Sequence, residues 1–226
     1  MSLEVEPGGV HAIMGPNGSG KSTLCHSLMG SPEYTVDAGA VSVDGQDVTD
    51  DPDERAVEGL FLAFQYPSEV QGVTVADFLK EAPDARREER DEESMPRTEF
   101  QELLEEKLEL LEMDPEYAER YLNTGFSGGE KKKNEILQMA VLDPQYAVLD
   151  EVDSGLDIDA LQTVAKGIRE LASEDRGVLM VTHYQRILEH VQPDHIHVMV
   201  DGKVVESGGP ELAEQLEDQG YEPFKN

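Results

Sequence analysis

Short runs of apolar residues recur along the chain, each long enough for one buried β-strand. They span Val10 to Met14, Gly59 to Phe64, Tyr146 to Leu149, Val178 to Val181 and Ile196 to Val200. Unbroken apolar runs of about four to eight residues are typical of strands that are covered on both faces. The pattern therefore predicts a mostly parallel sheet.

Helical periodicity appears between these runs. After a glycine-rich stretch, Leu24 and Leu28 recur at i, i+4 until Gly30, so we predict a strand, a loop and a helix in that order. Between two later strands, one helical face carries Ile158, Leu161, Val164, Ile168 and Leu171. Alternation of strands with helices predicts an α/β fold.

Strand-turn patterns predict an antiparallel β portion beside this core. Ala40 to Val43 is followed by Asp44-Gly45, and Ile196 to Val200 is followed by Asp201-Gly202. Asp-Gly favours the positive φ angles of tight hairpin turns. A last helix is predicted over Glu211 to Gln219, in an acidic tail.

The composition changes in the middle of the chain. From about Ser68 to Asn123 charged residues are dense, and one helical face carries Phe100, Leu103, Leu104, Leu108 and Leu111. Arg86 to Glu93 is nearly all charged and is predicted to be a solvated loop or a helix end. We therefore predict an inserted helical subdomain.

The chain is strongly acidic, because 18 Lys and Arg oppose 49 Asp and Glu, a formal net charge of −31. Such a charge repels nucleic-acid phosphates and anionic lipids, so we expect no nucleic-acid partner and no direct membrane contact. At about 1 M salt the Debye length is about 3 Å, which screens like charges that would otherwise strain the fold. The composition favours a halophilic host.

Cys25 is the only cysteine in the sequence. One thiol excludes an intrachain disulfide and a multi-cysteine metal or cluster site. No stretch approaches the roughly 20 apolar residues that cross a bilayer, and the first residues lack the features of a signal peptide. We expect a cytoplasmic protein.

The strongest chemical signal lies between the first strand and the first helix and reads Gly15, Pro16, Asn17, Gly18, Ser19, Gly20, Lys21 and Ser22. It satisfies the G-x-x-x-x-G-K-[ST] pattern of a phosphate-binding loop in the required context. Backbone N–H groups face the phosphates, Lys21 neutralises the β and γ oxygens, and the Ser22 hydroxyl reaches Mg²⁺. We predict ATP binding here, with Thr23 as a further contact.

A pair of carboxylates, Asp150 and Glu151, follows the apolar run Tyr146 to Leu149. Ligands of open α/β sheets bind at the carboxyl ends of the strands. Asp150 is predicted to hold Mg²⁺, and Glu151 to polarise the attacking water as a general base. Acids also end many strands at a solvated rim, so the pair gains its significance from the phosphate-binding loop.

Ser127, Gly128 and Gly129 stand at the start of a predicted helix. Such a helix start can bind an anion, or it can simply be a capped helix after a turn. Its position about twenty residues before Asp150 favours the anion site.

Together these motifs resemble those of the ATP-binding-cassette ATPases. The matching residues are the loop 15–22, Gln65, the signature motif Ser127-Gly128-Gly129-Glu130, Asp150-Glu151, Ser154-Gly155-Leu156-Asp157 and His183. The resemblance implies a P-loop NTPase fold over a single domain, 1–226. Its parts are an α/β nucleotide-binding core over 1–67 and 141–205, a helical subdomain over 68–140 that carries the signature, and a tail over 206–226.

The resemblance also implies roles for individual residues. Family members dimerise head to tail, so that each ATP lies between the phosphate-binding loop of one chain and the signature motif of the other. Gln65 is then the sensor of Mg²⁺ and the attacking water, Asp157 crosses the interface, and His183 contacts the γ-phosphate. The resemblance implies that hydrolysis here also requires this ATP-dependent dimer.

Longer strings narrow the resemblance to the SufC family, the soluble ATPases of the SUF iron–sulfur cluster assembly system. They cover 61–67, 126–138, 153–161 and 182–186. The resemblance implies SufB- and SufD-like scaffold proteins as partners that hold the cluster ligands. The shared motifs leave open a nucleotide-binding subunit of a membrane transporter and a regulatory binder that does not hydrolyse ATP.

His195 and His197 alternate along the last predicted strand and share one face. No nearby carboxylate or cysteine cluster completes a metal site in the sequence. We predict that both are ordinary strand residues.

Overall fold

The computed structural model describes residues 1–48 and 51–224. Residues 49 and 50 of the predicted core and residues 225 and 226 of the predicted tail lie outside the described residues. The chain divides into two compact units. The first comprises 1–65, 144–154 and the chain from 172 onward, and the second comprises 66–143 and 155–171.

A six-stranded sheet forms the centre of the first unit. The strands of the described residues are β1 (Val10–Met14), β2 (Ser42–Val43), β3 (Gln46–Asp47), β4 (Leu60–Ala63), β5 (Tyr146–Asp150), β6 (Gly177–Val181), β7 (His195–Val200) and β8 (Lys203–Gly208). The sheet order is β4-β5-β6-β1-β7-β8, and each neighbouring pair is parallel except β7 with β8. The predicted fold class, a mostly parallel sheet with an antiparallel portion, is confirmed.

Both predicted Asp-Gly turns close hairpins, β2–β3 and β7–β8. Asp44 and Gly45 have φ angles of 50° and 77°, and Asp201 and Gly202 have φ angles of 47° and 75°. Two-residue hairpin turns use positive φ at both positions because this matches the twist of the flanking strands.

The structure corrects the boundaries of these hairpins. The strand predicted over Ala40 to Val43 is limited to β2, Ser42–Val43. Strand β8 continues to Gly208, into the predicted tail, and pairs Ser207 with His197 of β7. Cross-strand pairing with β7 therefore extends a segment whose mixed polarity did not indicate a strand.

The helices are α1 (Lys21–Leu28), α2 (Pro52–Val57), α7 (Gln185–Val191) and α8 (Glu211–Gln219) in the first unit, and α3 (Val75–Glu89), α4 (Arg97–Leu110), α5 (Gly128–Leu142) and α6 (Ile158–Leu171) in the second. Short 3-10 helices cover Pro115–Glu119 and Glu222–Phe224. The predicted helices α6 and α8 are confirmed. Across 1–48 and 51–224, no helix has the length and apolar character needed to cross a membrane.

Helix α6 clusters with the helical second unit, whereas the predicted layout placed its residues in the 141–205 core. It packs against α5, which also contacts α3 and α4. A Cβ on Gly167 would lie 2.6 Å from Leu111 Cδ2 and 2.8 Å from Ile136 Cγ2. The absence of a side chain at Gly167 thus allows close packing within this unit.

The core beside β1 fixes both ends of the phosphate-binding loop. It consists of Ile13, Cys25, Leu62, Val148, Leu179, Val181 and Met199, against which the predicted helical pair Leu24 and Leu28 packs. Cys25 is fully buried, and this burial raises the pKa of its thiol well above the usual value. Strand β1 and helix α1 are therefore anchored in the same core.

Candidate functional site

Steric fit sets the path of the loop between β1 and α1. A Cβ on Gly15 would lie 2.2 Å from the carbonyl oxygen of Met199, so a side chain there would clash with β7. Gly18 and Gly20 have φ angles of 80° and 99°, a region that residues with side chains rarely adopt. The backbone of the loop therefore requires glycine at positions 15, 18 and 20. Asn17 and Thr23 are exposed along the loop and the first turn of α1.

Lys21 is buried at the first position of α1. Its Nζ donates to the carbonyl oxygens of Gly15 and Pro16 at 2.9 and 3.1 Å. Burial lowers the pKa of Lys21, while the Glu151 and Asp150 carboxylates oppose this shift. A buried ammonium group that donates to neutral carbonyls favours the arrival of an anion.

The Ser19 hydroxyl is buried in the same loop and has no hydrogen-bond partner among the described residues. Leaving such a group unsatisfied costs about 1 to 3 kcal/mol. A phosphate oxygen in the loop would accept its hydrogen bond. This buried hydroxyl therefore fits the predicted triphosphate.

Ser22 and Asp150 bring a hydroxyl and a carboxylate together. Ser22 Oγ donates to Asp150 Oδ1 at 3.2 Å, which links α1 to the end of β5. Oxygen atoms of this kind are the ligands that Mg²⁺ prefers. The pair thus fits the predicted metal role of both residues.

The predicted catalytic residues meet at one oxygen. Oε2 of Glu151 accepts a hydrogen bond from Gln65 Nε2 at 2.5 Å and lies 3.0 Å from His183 Nε2. These residues follow β5, β4 and β6, which are neighbours in the sheet. Because the strands are parallel, their carboxyl ends deliver side chains to the same edge.

Glu151 also has an unusual backbone. Its φ angle is 48°, and its N–H donates to the carbonyl oxygen of Val181 at 2.9 Å. Residues held in the left-handed region cost free energy and cluster at functional sites. The carboxylate is therefore positioned by the backbone as well as by its side-chain contacts.

A buried pair that the sequence analysis missed supports His183. Thr182 Oγ1 donates to Asp153 Oδ2 at 2.6 Å and accepts from the Tyr184 N–H at 2.9 Å. Burial raises the pKa of Asp153, an effect that the hydrogen bond from Thr182 opposes. The residues on both sides of His183 are thereby fixed. The signal in the sequence was Asp153, the next acid after Asp150-Glu151.

The signature motif lies in the second unit, at the N-terminus of α5. Ser127 and Glu130 form a capping box: the Glu130 N–H donates to Ser127 Oγ at 3.3 Å and the Ser127 N–H to Glu130 Oε2 at 2.6 Å. Ser127 and Gly128 are exposed, and a Cβ on Gly128 would meet no described atom within 4 Å. The capped-helix and anion-site interpretations are thus compatible.

Asp157 caps helix α6, which also lies in the second unit. Its Oδ1 accepts from the Ala160 N–H at 2.8 Å, at the start of α6, and the residue is exposed. Asp157 and the signature glycine Gly129 lie in the second unit. The phosphate-binding loop, Gln65 and Glu151 lie in the first.

The structure places His195 and His197 on strand β7, as predicted, and gives them neighbours that the sequence analysis did not identify. It places His11 of β1 opposite His195 and brings Glu6 to the same point. The sequence did not indicate this cluster because Glu6 and His11 are far from β7 along the chain.

Comparisons of this chain with known proteins point to ATP-binding proteins of the ABC transporter type. The family model described as ABC transporter matches residues 1–154. "Vegetative protein 296" of Bacillus subtilis (strain 168) is 58% identical over 226 residues, which is 100% of this chain and 86% of that protein. "Probable ATP-dependent transporter SufC" of Escherichia coli (strain K12) is 53% identical over 222 residues, 98% of this chain and 90% of that protein. The crystal structure of a nucleotide-free ATP-binding cassette from an ABC transporter has a TM-score of 0.75 at 26% identity, covering 96% of this chain and 87% of that one.

Proposed function

The chain belongs to the ATP-binding-cassette ATPases and, among them, to the SufC family, and from this premise we propose that it powers iron–sulfur cluster assembly on a SufB- and SufD-type scaffold. The observation that carries the ATP-hydrolysis part of the proposal is the contact of Gln65 and His183 with Glu151, beside a phosphate-binding loop that contains buried Lys21. The assembly role is inferred from membership of the SufC family. A carboxylate so placed is suited to accept the proton of an attacking water.

Neighbouring groups of the protein would hold Mg²⁺ and the triphosphate. Ser22, Asp150 and Gln65 would hold the metal ion, which when bound neutralises charge on the phosphate oxygens. Lys21 and the N–H groups of residues 15–22 would hold the β- and γ-phosphates. Glu151 would take the proton from water, and His183 would contact the γ-phosphate. This arrangement orients the water and the phosphate before the bond breaks.

A head-to-tail dimer would complete the site. Ser127 and Gly128 are exposed at the N-terminus of a 15-residue helix, and Asp157 is exposed at the start of another. Helix N-termini favour anions because their first N–H groups have no intrahelical partner. The signature motif of a second copy would therefore close over the phosphates bound to the first.

Large exposed aromatic side chains flank Gln65 and support contact with a scaffold protein. Tyr66 is 82% exposed and Phe64 is 43% exposed. Large apolar side chains that are exposed close to one another often mark a protein–protein interaction site. A scaffold bound here would lie beside a residue that contacts the catalytic carboxylate.

We expect the tagged chain to recover SufB- and SufD-like proteins from its host at molar KCl. The Tyr66→Ser variant should recover at least about tenfold less scaffold, while Tyr121→Ser, which makes the same change at a tyrosine outside this aromatic pair, should match the wild type. Mass spectrometry of the bound proteins measures the result. Recovery of integral membrane proteins in place of scaffold proteins would indicate a transporter subunit instead.

The net charge of −31 leads to a second expectation, for a cytoplasmic protein of a halophilic host. The melting temperature should rise between dilute buffer and molar KCl, because added salt screens repulsion among carboxylates. Thermal unfolding followed by circular dichroism at several KCl concentrations measures this. A melting temperature that stays constant or falls over this range would refute the halophilic interpretation.

A further inference from the structure

A cluster of imidazole and carboxylate groups lies where β1 and β7 begin. His11 of β1 stands opposite His195, the first residue of β7, and their ring centroids are 4.8 Å apart. Glu6 Oε2 lies 3.1 Å from His11 Nε2. One ligand atom from each of Glu6, His11 and His195 lies within 4.8 Å of the others.

A tight turn brings Glu6 to the histidines. The Gly9 N–H donates to the Glu6 carbonyl oxygen at 3.0 Å, and Pro7 and Gly8 occupy the corners of the turn. Proline followed by a residue with positive φ is typical of a type II turn, and Gly8 has a φ angle of 82°. A Cβ on Gly9 would lie 2.9 Å from His11 Nε2, so the glycine also leaves space for the His11 ring.

A second layer of hydrogen bonds orients His11. Its Nδ1 lies 3.0 Å from His197 Nε2, and His197 Nδ1 lies 2.8 Å from Ser207 Oγ. If each histidine carries its proton on Nδ1, His11 donates to His197, and His197 donates to Ser207. Nε2 of His11 then presents a lone pair toward Glu6.

We propose that Glu6, His11 and His195 bind a divalent transition-metal ion of the Zn²⁺ class. An imidazole that ligates a metal through one nitrogen almost always donates a hydrogen bond from the other, and His197 Nε2 is positioned to accept that bond from His11 Nδ1. In the opposite tautomer His11 Nε2–H donates to Glu6 without a metal. With the proton on Nδ1, an ion between Nε2 and the carboxylate takes the place of that hydrogen bond.

The ligand set determines the class of ion. Two imidazoles and a carboxylate, with no thiolate, suit Zn²⁺ and neighbouring divalent ions, whereas Mg²⁺ prefers oxygen ligands alone. Zn–N and Zn–O bonds of about 2.0 to 2.2 Å place the ligand atoms of a tetrahedral site about 3.4 Å apart. Glu6 and His195 are exposed, so they can close the remaining separation without repacking the core.

The site is separate from the nucleotide. His11 lies four residues before Gly15 on an extended strand, which is about 13 Å along the strand axis. The ion would join the segment before β1 to the starts of β1 and β7. Metal binding should therefore stabilise the fold of the first unit and should not depend on ATP.

The test is a titration of the full, metal-free chain with Zn²⁺ and with Co²⁺ in molar KCl with excess Mg²⁺. This background saturates the many surface carboxylates, which would otherwise bind the probe ions. We expect one ion per chain, visible absorption from imidazole-bound Co²⁺, and a melting temperature about 5 to 10 °C higher when free Zn²⁺ is about 100 times the Kd.

Exposed ligands provide variants that keep the core intact. His195→Ala and Glu6→Gln should each weaken binding at least about tenfold and lose the Co²⁺ spectrum. His190→Ala and Glu4→Gln, the same changes outside the cluster, should bind like the wild type. Absence of a stoichiometric site in the wild type, or a site that survives both ligand variants, would overturn the proposal.

Discussion

Replacing Glu151 by Gln is expected to slow ATP hydrolysis by about 10²- to 10⁴-fold while ATP binding persists. The amide matches the carboxylate in size and retains an oxygen that can accept from Gln65 and His183, but it cannot take a proton from water. Bound ATP should then remain intact. We expect the ATP-bound dimer to accumulate, measured by phosphate release and by size-exclusion chromatography with ATP and Mg²⁺ at molar KCl.

Glu189→Gln is the matched control for this variant. It makes the same charge change at an exposed position of α7 and should hydrolyse ATP at the wild-type rate. If the Glu151→Gln variant hydrolysed ATP at the wild-type rate, Glu151 could not be the general base. A variant that binds ATP and Mg²⁺ but stays monomeric would argue against the proposed sandwich of ATP between subunits.

Lys21→Ala is expected to weaken ATP binding by about 10- to 150-fold. This corresponds to the loss of one charged hydrogen bond, about 1.5 to 3 kcal/mol. The buried ammonium group donates to the carbonyl oxygens of Gly15 and Pro16, so its removal also loosens the loop that holds the phosphates. Equilibrium binding of a fluorescent ATP analogue measures the loss.

The control for Lys21→Ala is Lys107→Ala, which removes a cation from the second unit, where Lys107 pairs with Glu106. It should bind ATP with wild-type affinity. If Lys21→Ala also bound with unchanged affinity, the phosphates would have to lie elsewhere in the molecule. Circular dichroism of both variants separates a local effect from loss of the fold.

Local sequence signals predicted much of the fold because they act over a few residues. The apolar run at Val10–Met14 became β1 with the same limits, and the periodic pattern at Ile158–Leu171 became α6. The order of strands in the sheet is a different kind of information. It depends on which apolar runs pair, and no run identifies its neighbours by composition.

The same distinction applies to the candidate site. The phosphate-binding loop is one continuous string, so its position could be predicted directly. The Thr182–Asp153 hydrogen bond and the cluster of Glu6, His11 and His195 join residues distant along the chain. Contacts of this kind follow from sheet order, so the sequence alone could not show that Glu6 and His11 lie beside His195.

The burial of Cys25 has a practical consequence for spectroscopy. The only sulfhydryl of the chain lies inside the core, where maleimides and alkylating reagents cannot reach it. A cysteine added at an exposed position, such as Glu102→Cys on α4, would therefore carry a fluorophore or a spin label at a single place. Pairs of labelled chains would then report the distance between subunits during turnover, with the native thiol left unchanged.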